Sequence, residues 1–198
     1  SWLRLSVALA APALSFSSAR AADPAFDQWA EQYAADLMRA SPTMATMQQY
    51  FTGAEQDALD RQMTPNTREA RAARLERAKR GLVELAKFDR AKLDFQQRIS
   101  ATTIQWQLER TVEADQFQDQ NYIFEQFGGA QVRLVNFLSQ THPIRNKRDI
   151  ENYLARLALV EGQMNENIAQ ARERGERGFT PPKFILQSTI EQFDRFLA

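Results

Sequence analysis

The sequence predicts an all-α protein, a multi-helix bundle, and three observations carry that reading. Apolar residues recur at spacings of three and four over most of the chain. No stretch of four or more residues alternates as a half-buried strand would. Helix formers (Ala, Leu, Gln, Glu, Arg) are abundant, whereas only 7 Gly and 7 Pro occur in 198 residues. Three breaks punctuate the pattern: Ser41-Pro42, Phe127-Gly128-Gly129 and Phe179-Thr180-Pro181-Pro182.

Residues 1–21 read as a cleavable export signal. Arg4 supplies the positive charge, Leu5 to Leu14 a short apolar core, and Ala19-Arg20-Ala21 the small residues that signal peptidase requires. The apolar run is too short, and too interrupted by Pro12, to span a bilayer core of roughly 30 Å. A periplasmic or secreted protein without a membrane anchor is the expectation. The chain lacks an initiator Met, so its N-terminus reads as slightly shortened.

Asp23-Pro24 pairs an N-cap with a proline suited to the first helical position, and Phe26, Trp29, Ala30, Tyr33 and Leu37 then form one apolar stripe. Ser41-Pro42 ends that helix and starts a short one carrying Met44 and Met47. Residues 48–63 read as irregular and acidic, turning at Gly53. A charged helix is expected from Thr64-Pro65 to about Lys87, burying Ala72, Leu75, Leu82, Leu85 and Ala86. Its arginines, Arg68, Arg71, Arg74, Arg77 and Arg80, advance by threes and spiral around it, which suggests a solvated face paired with Glu69, Glu76 and Glu84.

From Asp94 to about Phe117 the pattern shows two apolar stripes, Phe95, Ile99 and Trp106 against Ile104, Leu108 and Val112. Two stripes imply a helix between two neighbours. A polar–aromatic connector, residues 118–127, leads through Gly128-Gly129 into a helix with Val132, Val135, Phe137 and Leu138, stopped at His142-Pro143. The clearest amphipathic helix, residues 148–174, carries Ile150, Tyr153, Leu154, Leu157, Val160, Met164, Ile168 and Ala171, and Gly175 and Gly178 end it. Thr180 is expected to cap a last helix with Pro181 at its first position and Ile185, Leu186, Ile190, Phe193, Phe196 and Leu197 on a wide apolar face. That face is still open at Ala198, so residues 22–198 read as part of a domain that continues, with the missing C-terminal part packed on residues 185–197.

Twenty-five basic and 25 acidic residues cancel, which leaves no basic footprint for nucleic acid and no polybasic membrane patch. The absence of Cys excludes thiolate nucleophiles and Cys-ligated zinc. His142 is the sole imidazole; with no second His at helical spacing it reads as a cap for helix carbonyls rather than a ligand. Ser139 beside it lacks a nucleophile elbow. Glu113, Asp115, Asp119 and Glu125 read as loop-edge carboxylates. No catalytic, cofactor or metal residue is therefore assigned within the chain. The connector offers the best binding candidate: two glycines before a helix would leave free amides for a substrate carboxylate or carbonyl, with Phe124, Glu125, Gln126, Gly128 and Gly129 lining a substrate cleft. A tightly packed turn is the competing reading of that segment.

Ser41-Pro-Thr-Met-Ala-Thr46, the charged helix after Thr64-Pro65, Phe127-Gly128-Gly129 and Gly178-Phe-Thr-Pro-Pro-Lys-Phe184 occur in that order. Over residues 22–198 they resemble the N-terminal part of the bacterial family called domain of unknown function 885. The resemblance implies an exported, mostly helical, gluzincin-like zinc peptidase acting on a peptide substrate. Its zinc motif would lie downstream of this region, so none of the family's metal ligands maps onto this chain. Family members often carry glycine shortly after the Ala-Thr step, where this chain has Met47-Gln48-Gln49-Tyr50. The alternative is a self-contained periplasmic helical bundle that binds or scaffolds a partner.

Overall fold

A computed structural model describes residues 22–197. The proposed export signal lies outside the described residues. Within them the chain is helical and contains no strand. Helix α1 (Pro24–Arg39) starts as the sequence requires: the Asp23 side chain accepts from the Ala25 amide, and Pro24 occupies the first turn. Phe26 is the buried member of its stripe, while Leu37 is exposed.

Helix α2 (Pro42–Gln48) buries Pro42, Ala45 and Thr46 and turns Met44 and Met47 outward. It ends at Gln49, whose left-handed φ of 46° lets the Tyr50 amide donate to the Ala45 carbonyl at 3.2 Å. This is the closure that glycine ordinarily supplies. The acidic segment expected to be irregular forms helix α3 (Gly53–Asp60) instead. Its apolar content is low, and it is stabilised by buried Gln56 and Asp60 bonding back to α2, a signal that hydrophobic periodicity does not carry.

Helix α4 (Arg68–Leu85) begins after Thr67, which accepts from the Ala70 amide, rather than at Thr64. Its buried residues are Ala78, Gly81 and Leu85, whereas Ala72 and Ala86 are exposed. Small residues face inward because α1 and α5 approach closely: a Cβ at Gly81 would lie 2.8 Å from the Tyr33 ring. Helix α5 (Phe95–Ala114) opens on a capping box between Asp94 and Gln97. The Gln97 amide also donates to the Asp23 carbonyl and to Asp27, tying α5 to the start of α1. Only one of the two apolar stripes is packed. Ala101 and Leu108 are buried, but Phe95, Ile99 and Trp106 are 47–65% exposed. A core of Phe26, Leu85, Leu93 and Ala101 joins α1, α4 and α5, with Trp29, Phe88 and Ile104 packed around it.

A 3-10 turn over Asp115–Gln120 and the connector lead to helix α6 (Ala130–Asn136), which continues as a π-helical turn over Phe137–Thr141. The expected long helix of residues 148–174 is two helices, α7 (Lys147–Leu157) and α8 (Val160–Glu176). At the break the Leu159 amide donates to the Arg156 carbonyl at 3.0 Å, a tightened last turn.

Burial on this pair departs furthest from expectation. The buried side chains are polar: Asp149, Asn152 and Arg156 on α7, and Asn167, Gln170 and Arg174 on α8. Ile150, Leu154 and Leu157 are 44–57% exposed. At about 100° per residue these two stripes lie roughly a third of a turn apart, so the helices face inward with their polar side. Gly178, at φ 87°, ends α8 as expected. Helix α9 (Lys183–Leu197) starts after Pro181 and Pro182 rather than at Pro181, and the Pro182 carbonyl accepts from the Ile185 and Leu186 amides at 3.0 and 3.1 Å. It is anchored through buried Thr189, Gln192 and the Phe193 ring, while Phe184, Leu186, Ile190 and Phe196 remain exposed.

Candidate functional site: an arginine-lined cavity and a buried polar network

Three structural features bear on function, and each is built on inward-turned polar side chains, two of them from helices and one from the connector. The first is a network on α2, α3 and α7. Arg156 is fully buried. Its Nε donates to the Gln62 carbonyl at 2.8 Å, and its Nη2 to the Leu59 carbonyl at 2.8 Å and to Thr46 Oγ1 at 2.9 Å. Its Nη1 lies 2.7 Å from His142 Nδ1, and its guanidinium covers the Phe137 ring at 4.9 Å. Asp60 supplies a nearby carboxylate, 2.6 Å from the Thr46 hydroxyl. Burial pulls the Arg156 pKa down to about 10, and the Asp60 charge opposes that fall.

His142 is therefore no simple cap for helix carbonyls. The π-helical turn, closed by its own amide on the Phe137 carbonyl, carries its ring into the interior. Because Arg156 can only donate, Nδ1 accepts, and Nε2 carries the proton toward the Asp149 carbonyl 3.3 Å away. Burial first, and then the Arg156 charge, hold its pKa below the ordinary imidazole value, against the hydrogen bond to Asp149. Both ring nitrogens are thus engaged. Among the described residues no group of three or more His, Cys, Asp or Glu is gathered as a metal site. These side chains do not fit the zinc that the resemblance implies.

The second feature is the glycine turn. Phe124, Glu125, Gln126, Gly128 and Gly129 do come together there, but the amides expected to be free are taken. Glu125 folds back so that its carboxylate accepts from the Phe127 amide at 2.8 Å and from the Gly128 amide. The Glu125 carbonyl accepts from the Gly129 amide at 3.1 Å and from Gln131 Nε2 at 2.8 Å. Gln192 of α9 donates to the Gln126 carbonyl, and Phe124 meets Phe193 edge-on with centroids 5.9 Å apart. Glycine is required at 129 for space: a Cβ there would overlap the backbone N and O of Glu125. The segment's own carboxylate fills the nest that an external anion would need.

The third feature is a cavity of about 460 Å³ between α4, α6 and α8. Arg71 and Arg74 reach it from α4, Arg133 from α6, and Arg174 from α8. Asn66, Gln163, Asn167 and Gln170 add amides, and Ile123, Leu134 and Phe137 an apolar side. Among the described residues no Asp or Glu lines it. The amides are held in place: Gln170 Nε2 donates to the Asn66 carbonyl at 2.8 Å, Gln163 Nε2 to the Thr64 carbonyl at 3.1 Å, and Asn66 Nδ2 to Asn167. Asp119, outside the lining, bonds Arg177 at 2.6 Å and stands farther from Arg71, at 3.7 Å, and Arg174, at 4.0 Å. That contact with Arg177, together with the charges of Arg174 and Arg71, keeps its carboxyl below the usual carboxylate range.

The arginine spiral thus divides between solvent and the interior. Ion pairs from α4 reach Glu173 and Asp119 on other elements, whereas Glu76 pairs within the helix with Lys79 and Glu84 accepts from Trp29. Sequence periodicity did not single out Arg133, Arg174, Asn167 or Gln170. A signal was present: Gln163, Asn167, Gln170 and Arg174 recur at spacings of three and four, a polar stripe rich in amides.

An all-α chain with buried polar stripes and a basic cavity is the class that fold and site define. Within that class, a family model described as bacterial protein of unknown function (DUF885) matches residues 42–198, and the chain belongs to this family. No curated protein and no solved structure gives a significant match.

Proposed function

We propose that this chain is the N-terminal helical part of an exported, zinc-peptidase-like protein, and that its helices wall a substrate cleft. The observation that carries the reading is the reversed burial. Polar stripes face inward, while apolar stripes on α5, α7 and α9 face out. Apolar surface left in water forgoes about 25 cal/mol per Å², so such faces suit the interior of a larger helical assembly, with further polypeptide over residues 185–197. On this reading zinc is held by sequence outside these 198 residues, the substrate is a peptide, and Phe124, Glu125, Gln126, Gly128 and Gly129 form part of the cleft wall as a packed turn. The export signal of residues 1–21 would direct the protein to the periplasm or beyond. Among the described residues no helix is long and apolar enough to cross a membrane.

Metal analysis and a peptidase assay test the reading on the natural gene product and on this chain side by side. The expected result is chelator-sensitive hydrolysis and one zinc in the former, with neither in the latter. Zinc bound by this chain at one equivalent, and lost in His142→Ala, would overturn it. So would a natural product that binds no zinc. A second reading, a self-contained periplasmic bundle that scaffolds a partner, is favoured by one observation: the Arg156 network is satisfied entirely from within the chain. A natural gene product that ends with this chain and captures a partner through its apolar faces would decide for it.

A further inference from the structure

We propose that the cavity between α4, α6 and α8 is a binding site for a small acidic ligand, held through carboxylate or phosphate groups. The inference stands apart from the peptidase reading, because it concerns binding by this chain alone.

Charge is the first argument. Among the described residues four arginines line the cavity and no acidic side chain does. A buried guanidinium is costly unless a partner compensates it, yet the available carboxylate is shared and distant. Asp119 spends its closest contact on Arg177 and stands beyond hydrogen-bond distance of both Arg71 and Arg174. The side chains of Arg71 and Arg174 are only 15% and 11% exposed, so water compensates them poorly. Burial, and next the Arg71 charge, push the Arg174 pKa down. Arg133 spends one contact on the Gly128 carbonyl. Among the described residues neither Arg133 nor Arg74 forms an ion pair. Arg174 also donates to the Asn121 carbonyl, a neutral acceptor that leaves its charge to the one carboxylate it shares with Arg71 and Arg177. An anion in the cavity would add the counter-charge that Asp119 supplies only in part.

Shape and specificity point the same way. Planar guanidinium forks match the paired oxygens of carboxylate and phosphate. The volume, about 460 Å³, falls in the range of small-molecule sites. A concave site on a chain with no net charge does not suit a nucleic-acid backbone. The fixed amides of Asn66, Asn167 and Gln170 and the apolar wall of Ile123, Leu134 and Phe137 would orient the rest of such a ligand.

Calorimetry and thermal shift on the full chain, with inorganic phosphate, succinate and neutral succinamide as probes, test the proposal. Saturable one-site binding of phosphate or succinate is expected, weakened by salt, with none for succinamide. The stronger of the two anions identifies phosphate or carboxylate as the natural chemistry. R74Q and R133Q should each weaken binding about tenfold or more. Arg74 is exposed on α4, so R74Q retains the fold and decides the matter should R133Q unfold. No saturable binding of either anion, equal binding of succinamide, or unchanged binding by R74Q would each overturn the proposal.

Discussion

Arg156 shows how a residue that sequence patterns assign to a surface can organise an interior. Each of its donor groups has an acceptor, from Gln62, Leu59, Thr46 and His142, and Phe137 covers its face. That satisfaction is what makes burial of the charge tolerable. It also fixes His142 as neutral, which gives stability a pH dependence of known sign. The folded imidazole resists protonation, while the unfolded one takes a proton near its ordinary value of 6.5. Stability is therefore complete above that pH and falls as pH drops through 6.5 toward the lower folded value. The depressed carboxyls of Asp149 and Asp119 act separately, since their contribution is lost only below about 4. Urea unfolding between pH 7.5 and 5 should show the decline, and His142→Asn should flatten it. A wild-type stability that is level across this window would refute the assignment.

At the scale of elements, the glycine turn and the α7–α8 break do related work. The turn packs so tightly that Gly129 lies against the Glu125 backbone, whereas a Cβ at Gly128 would meet only the movable Glu125 carboxylate, at 3.1 Å. Gly129→Ala should therefore cost about 1–3 kcal/mol, and Gly128→Ala clearly less. Denaturant midpoints of the two variants check the difference, and equal losses would mean that the turn relaxes. The break at Ala158-Leu159 lets two polar stripes serve two destinations. Arg156 on α7 reaches α2 and the segment around α3, while Asn167 and Gln170 on α8 meet Asn66 ahead of α4. A continuous helix would hold both stripes to a single axis.

For the molecule as a whole, the outward apolar faces are the main consequence. Ile150 and Leu154 are 47% and 57% exposed, so they add little to the stability of this chain. I150K and L154E should change unfolding free energy by no more than about 0.5 kcal/mol. The same pair should reduce binding of dyes that report apolar surface and suppress self-association seen by light scattering. A loss of several kcal/mol would place these side chains in a core and remove the reason to expect a covering layer.

Much of this organisation was legible in the residues. The all-α class, the caps at Asp23 and Asp94, the breaks at Ser41-Pro42 and Gly128-Gly129, and the glycine stop at Gly178 follow from local backbone chemistry. Local chemistry reads the same in any tertiary context. Which face of α7 and α8 turns inward was decided by tertiary structure alone. Periodicity identifies stripes but cannot tell which of two adjacent stripes meets a neighbour, because polar side chains are tolerated inside once their hydrogen bonds are satisfied. Asp149, Asn152, Arg156, Asn167, Gln170 and Arg174 lie inside for that reason, with Ile150 and Leu154 out in solvent. The arginine-lined cavity follows from the same choice, since it assembles side chains from three helices that are far apart in sequence.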